Sequence, residues 1–561
     1  MRKQSKYVFV YIISKLETIQ FVITRNLSQS YKNYTKLNYS IFLNLIYRYS
    51  MKSKIIVHPI LFAIFPVIML YFNNMYFVSF SETLLPLAIT VGITIPIWII
   101  LKLILKDDVK SALITSLILV LCFSYGYAFL TIDDLTINDF DVGKHRYLAI
   151  PFLAVFIIGI FYLIKTKKRL NVANTITNVG SLTIVIITLV NIGAYSLENS
   201  FSANFEDDPA MGLEHITNEK ELPDIFFIIL DAYPGAASLK TTSNYDNSEF
   251  VDGLSERGFF VQKESYSNYA QSFISIPSVL NMKHLNYLTE QIGDSRDQTI
   301  PYEIADNNRV MNFLKSQGYA VASFDSGWGM TRDVKAAELQ LCGDNQLFNS
   351  NFLIMLVKAS ALNPVYVKIF ESSHIELKLC VFDELPKVQN RSDKPIFVFA
   401  HMMLPHPPFI FDADGGIRSV DNLDLSLEIK DNNSRDAHLE QLKFVNKKMT
   451  QVVDQLLNSE NPPVIIITSD HGTAFLFDGN LANWDSPTNE MIKERMNNIM
   501  FVYLPSNKTD IFYEDMTLVN VFRVLFNYYF ETDFEILDDK IFFSRDGSYD
   551  FIDVTDILRN G

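Results

Sequence analysis

Five apolar runs near bilayer-spanning length follow one another in the first part of the chain, at 55–73, 84–105, 111–131, 147–165 and 177–196. One such run would pass for a buried helix of a soluble core. Five in succession, separated by short polar loops, predict a transmembrane domain of five helices over 55–197. Residues 198–221 are polar and acidic without sustained apolar period, which predicts a juxtamembrane linker. From 222 onward the pattern changes to strands alternating with helical stretches. Strands are predicted at Ile225–Leu230, Ala320–Phe324, Pro395–Ala400, 463–468 and Asn498–Leu504. Helical spacing marks Ser248–Arg257, Val310–Ser316, Ala437–Leu457 and Leu518–Tyr529, with Gly258 and Gly318 as stop signals after the first two. Such alternation predicts an α/β domain with a mostly parallel sheet over 222–561.

Charge fixes an expected orientation. Arg25, Lys32, Lys36, Arg48, Lys52 and Lys54 precede the first span, Lys106 and Lys110 fill the second loop, and Lys165, Lys167, Lys168 and Arg169 the fourth. The first external loop has no basic residue, and the third sets Lys144 and Arg146 against four aspartates. By the positive-inside rule residues 1–54 form a basic cytoplasmic segment, and an odd number of spans leaves everything after about 197 extracytoplasmic. The formal net charge of −15 then says little about partners, and nothing points to nucleic acid. The first residues resemble neither a signal peptide nor a full span. Met51 heads a typical membrane-protein start and is an alternative first residue. Cys342 and Cys380 fall outside the membrane, where an oxidising exterior would let them pair, though two cysteines alone do not decide it.

Three predicted strands run into polar residues. The first gives Leu230-Asp231-Ala232-Tyr233-Pro234, the second Ala400-His401 and, four residues on, Pro405-His406-Pro407, and the third Ser469-Asp470-His471-Gly472. In an open α/β sheet ligands bind beyond the carboxyl ends of strands. Carboxylate and imidazole together suit a divalent metal. Taken singly, Asp231 would equally cap a helix and His401 would equally be a satisfied core histidine. Converging at strand ends, they favour a metal site.

In this order, these residues resemble the alkaline-phosphatase superfamily. The spans ahead of an outer catalytic domain resemble its membrane-bound branch, the lipoteichoic acid synthases and lipid A phosphoethanolamine transferases. The resemblance implies a hydroxyl nucleophile on a metal at a helix N-terminus. Ser272, five residues before Pro277, matches the position of the threonine in those transferases. It further implies that Asp231, Ser272, Asp470 and His471 form one site for a divalent zinc or manganese ion, and that His401 and His406 approach the phosphate or a second metal. A further histidine of those enzymes is absent here (Leu481-Ala482-Asn483-Trp484), which leaves a second metal uncertain. Arg332-Asp333 resembles a segment with which lipoteichoic acid synthases hold glycerol phosphate, which implies substrate binding by Arg332, with Trp328 in place of an aromatic neighbour. Ser275-Ile276-Pro277-Ser278 resembles the sulfatase sequence converted to formylglycine, but Val279 stands where that signal has arginine.

The expected activity is a two-step transfer of a phosphoglycerol- or phosphoethanolamine-type head group from a membrane phospholipid to a cell-surface glycan or lipid through a phospho-serine, with Ser272 ahead of Ser275 as nucleophile. A sulfatase or phosphodiesterase of the same fold, and a degenerate non-catalytic domain that binds a surface polymer, are the alternatives.

Overall fold

The computed structural model describes residues 55–132, 136–137, 140–141, 144–198, 222–293, 296–343, 351–418, 432–478, 480–506, 508–545 and 547–559. The expected cytoplasmic segment 1–54, the alternative start at Met51 and nearly all of the expected linker lie outside them. The chain divides into two compact units.

The first unit holds helices α1 (His58–Asn74), α2 (Leu84–Leu105), α3 (Asp108–Ile132), α4 (His145–Lys165) and α5 (Asn171–Glu198). Among the described residues α2 to α5 are long and apolar enough to cross a membrane, while α1, at 17 residues, is a shorter apolar helix. The five expected spans are thus four helices of full spanning length and one at the lower edge of it. α4 presents Ile150, Leu153, Ile157, Ile158 and Phe161 outward, a surface that suits hydrocarbon and not water. The protein is a membrane protein. Asn178 of α5 accepts from the amides of Val57 and His58 at 3.1 Å each, and His58 reaches Ser116 (2.6 Å) and Asn174 (3.2 Å). These bonds satisfy the free donors at the start of α1 inside an apolar surrounding.

The second unit is built on a seven-stranded sheet. Its strands are β1 (Ile225–Leu230), β2 (Phe260–Val261), β3 (Ala320–Phe324), β4 (Leu339–Leu341), β5 (Ile396–Met402), β6 (Val464–Thr468) and β7 (Met500–Tyr503). They lie in the order β2-β7-β6-β1-β5-β3-β4. From β6 to β4 all neighbours are parallel, and β7 and β2 complete one edge antiparallel. Every residue of β1, β3, β5 and β6 is buried, as near-continuous β-branched and aromatic runs require when helices cover both faces. Alternate residues of β1 divide between the faces. Phe226, Ile228 and Leu230 pack with Phe250, Leu254 and Met449, while Ile225, Phe227 and Ile229 pack with Val521, Phe522 and Leu525.

Register sets the site. Ile229 lies beside both His401 and Thr468, and Leu230 beside Met402. The strand expected to end at Ala400 continues through Met402, so His401 projects from within β5 instead of following it. Cys342, just after β4, is disulfide-bonded to Cys380 of the helix Asn363–Glu384, with their Cα atoms 5.9 Å apart.

Candidate active site

Helix α6 (Ser272–Asn281) opens at Ser272, and its amino end faces the carboxyl ends of the central strands. Gln271 is extended at the N-cap (φ −140°, ψ 140°) and its carbonyl accepts from the amides of Ile274 and Ser275. Ser272 Oγ is therefore at the positive end of the helix, where a developing or transferred anion is favoured. It stands 3.0 Å from His471 Nε2. His471 Nδ1 donates to the Gly472 carbonyl (2.9 Å), which leaves Nε2 with a lone pair directed at Ser272 and, at 3.3 Å, at Asp470 Oδ2.

Asp470 is gripped on one side only. Its Oδ1 accepts from the amides of Ala232 (3.2 Å) and His471 (3.1 Å), while Oδ2 is buried without a hydrogen-bond donor. Across from it, Asp231 Oδ1 is also buried and undonated, and Oδ2 lies 3.3 Å from His401 Nε2. His401 Nδ1 meets Thr331 Oγ1 at 2.7 Å. With that hydroxyl donating to the Trp328 carbonyl (3.2 Å), the imidazole proton is on Nδ1 and Nε2 presents a lone pair.

Ligand atoms of Asp231, His401 and Asp470 thus all lie within 4.8 Å of one another, and the three residues are buried. Two carboxylates and a neutral imidazole so close, with orphaned acceptors aimed at a common point, lack one thing: positive charge. Burial and the facing charge of Asp231 push the Asp470 carboxyl up to about 6. Burial would raise Asp231 too, but His406, the foremost of its neighbours, holds it well below the usual carboxylate range. Burial, then the Arg495 guanidinium, hold His471 well below an ordinary imidazole, so it stays neutral. The donor set fits a divalent cation of the zinc or manganese kind.

The structure brings together Asp231, Ser272, Asp470, His471 and His401. His406 is half-buried, its Nδ1 hydrogen-bonded to the Pro407 carbonyl at 2.7 Å. Trp328 packs edge-on against the His401 ring, with centroids 5.7 Å apart, and against Tyr302. Arg332 lies one residue past the Thr331 that holds His401, and pairs with Glu82 at 3.4 Å. Ser275 Oγ, the rival nucleophile, donates to the Asp470 carbonyl at 2.8 Å and is buried.

Sequence reasoning missed the support beneath these groups. Arg495 is buried and donates to the carbonyls of Ala270 (2.6 Å) and Gly472 (3.1 Å), tying the approach to Ser272 to the loop after His471. Glu494 accepts from Thr473, Phe475 and Leu476, holding the same loop from its other side. In a linear reading Glu-Arg beside a helix end looks like a solvated pair. The signal that marks it is Gly472. A Cβ there would overlap the backbone oxygens of Glu494 and Asn497. Gly472→Ala should therefore displace His471 and lower activity by about 100-fold or more, the scale of a 1 Å misplacement of a reacting group. Turnover of the purified variant, with circular dichroism to confirm folding, checks this.

A parallel α/β sheet presenting a metal-type cluster to a serine at a helix start defines an enzyme that transfers or hydrolyses phosphoryl or sulfuryl esters. Consistent with that class, the sulfatase family model matches residues 223–527, more than half of the chain, and the chain belongs to that family, within the alkaline-phosphatase superfamily. No curated protein sequence matches it. Similar solved structures include the C-terminal periplasmic domain of EptC from Escherichia coli (12% identity, 61% of this chain and 95% of that one, TM-score 0.38). Another is the integral membrane lipooligosaccharide phosphoethanolamine transferase A of Neisseria meningitidis (12% identity, 82% and 88%, TM-score 0.34). A third is the sulfatase-type protein yidJ of Bacteroides fragilis (14% identity, 61% and 80%, TM-score 0.36).

Proposed function

We propose that the chain is a membrane-tethered phosphotransferase that moves a phospho-head group from a phospholipid to a cell-surface glycan or lipid by way of a phospho-serine at Ser272. The observation that carries this reading is the Ser272 hydroxyl at the start of α6, 3.0 Å from a neutral His471 and beside orphaned acceptors of Asp231 and Asp470. A divalent cation held by Asp231, His401 and Asp470, with His471 beside them, would favour the ionised Ser272 hydroxyl and offset charge on the phosphoryl oxygens.

The chain's own groups account for the rest. Ser272 Oγ attacks phosphorus, its proton passing to water, and the bond to the diacylglycerol oxygen breaks. That oxygen leaves protonated, with the half-buried His406 as the group that supplies the proton. An acceptor hydroxyl then attacks the same phosphorus, giving its proton back to His406, and Ser272 departs taking a proton from water. The N-terminus of α6 favours the anion throughout. The basic residues flanking the apolar helices and the Cys342–Cys380 disulfide support an extracytoplasmic site, where lipid head groups are within reach. The family match also supports sulfate-ester hydrolysis as a second reading. Against it, Ser275, at the modified position of such enzymes, has its hydroxyl turned to the Asp470 carbonyl.

With labelled phosphatidylglycerol and phosphatidylethanolamine, the purified protein should release diacylglycerol from at least one lipid, and chelation should stop it. No release from either lipid, with turnover of aryl sulfates instead, would favour the second reading.

A further inference from the structure

Beside His401 lies a narrow cleft lined by Asp325, Ser326, Lys378, His401, Met403 and Leu404. It has room for about one oxygen-sized group. Lys378 extends to it from the helix Asn363–Glu384, and its ammonium donates to the Met403 carbonyl at 2.5 Å. An ammonium has three donors, and one carbonyl satisfies one of them. Among the described residues no carboxylate forms an ion pair with Lys378. The acid whose field it feels is Asp231, on the metal-type cluster. Burial lowers its pKa to about 8, which leaves it mostly cationic at neutral pH.

An inward-facing lysine without a partner carboxylate is costly, so a fold that keeps one has a use for its charge. This one is held rigidly. Two residues on, Cys380 is disulfide-bonded to Cys342 after β4, and the neighbouring strand β3 leads into Asp325, whose amide donates to Leu341 at 3.0 Å. The disulfide thereby fixes the helical turn bearing Lys378 to the sheet edge that bears the cleft. Once a cation neutralises Asp231 and Asp470, the ammonium would keep only Asp325 of the cleft lining as a nearby acid, not ion-paired with it, and would have donors to spare for a further anion. A tetrahedral oxyanion at Ser272 supplies one.

We infer that Lys378 is a substrate-binding residue that takes a non-bridging oxygen of a tetrahedral phosphoester anion through the cleft beside His401. The inference rests on the phosphotransfer reading for its substrate, the phosphodiester of the donor lipid, but the anion subsite itself does not depend on turnover. Its test measures binding of inorganic phosphate to the full-length protein by calorimetry, and KM for phosphatidylethanolamine or phosphatidylglycerol vesicles. Both are measured for the wild type, Lys378→Met and Lys378→Arg.

Loss of one charge-assisted hydrogen bond predicts phosphate binding at least about tenfold weaker in Lys378→Met, a comparable rise in KM, and substantial recovery in Lys378→Arg. An unchanged thermal midpoint in Lys378→Met makes the loss one of recognition, and should that variant not fold, Lys378→Gln takes its place. Wild-type phosphate affinity in the folded methionine variant would overturn the inference, whatever happens to turnover. Binding that depends on Lys378 in a protein that turns over neither lipid would uphold the subsite and defeat the transferase reading. Phosphate binding with no change in KM for vesicles would assign the site to free phosphate and overturn its role toward the lipid.

Discussion

Ser272→Ala should abolish head-group transfer, lowering kcat by about 1,000-fold or more, which corresponds to about 4 kcal/mol of lost transition-state stabilisation. The variant should remain folded and should still bind metal through Asp231, His401, Asp470 and His471. Nothing else at the start of α6 replaces the hydroxyl. Ser275, one turn along, has the right chemistry in the wrong place, since its Oγ is committed to the Asp470 carbonyl. Ser275→Ala therefore makes the informative contrast. It removes one buried hydrogen bond and leaves a carbonyl undonated, for a stability loss of about 1–3 kcal/mol, while the attacking atom stays where it was. Turnover with labelled lipid, measured for both variants alongside thermal melts, separates the two serines. Similar losses of turnover in both, at equal stability, would show that the hydroxyl at 272 has no special standing.

The second large effect concerns metal loading. Without a cation, Asp231 and Asp470 are two buried carboxylates with orphaned oxygens facing each other, and their repulsion works against the folded state. Zinc or manganese at about 100 times its dissociation constant should stabilise the protein by about 2.7 kcal/mol and raise its melting temperature by several degrees. Asp470→Asn tests the cause. The asparagine carbonyl keeps the Ala232 and His471 amide bonds that Oδ1 accepts, and its amide replaces the repelling oxygen with a donor. The metal-free variant should be at least as stable as the metal-free wild type, and its response to metal should be largely lost. A wild-type protein indifferent to both metals would remove the structural basis for a cation at this cluster.

Much of the second unit was legible because its strands bear strong local signatures. The run Ile225–Leu230 became β1 without adjustment, and 463–468 became β6 within one residue, since apolar β-branched runs of that length have few other homes. Asp231, Asp470 and His471 could be read from their place just past those strands. Position along the chain could not give register. That His401 projects from inside β5, level with Ile229, depends on how β5 pairs with β1, and this brings it within 3.3 Å of Asp231. The edge predicted as one strand, Asn498–Leu504, is instead Met500–Tyr503, antiparallel to β6, with Asn497–Asn498 pairing Ser265–Tyr266. A periodic pattern has no direction, so this distinction was out of reach. Arg332 carried a motif-like neighbourhood, but the loop before α2 supplies Glu82 to it, a partner some 250 positions away. The loop ties made by Glu494 and Arg495 and the ammonium of Lys378 escaped for the same reason. Each is a charged residue whose burial is a tertiary fact.

By the proposed mechanism the donor's phospho-head group rests on Ser272 between its two transfers. The most direct measurement is acid quenching of the metal-loaded protein during reaction with phosphatidylethanolamine or phosphatidylglycerol in the absence of acceptor, followed by peptide mass spectrometry. The predicted result is one phosphoethanolamine or phosphoglycerol group, matched to the lipid supplied, on the peptide containing Ser272, and none in Ser272→Ala. Turnover of the lipid with an unmodified Ser272 peptide, or with the group on Ser275, would contradict it.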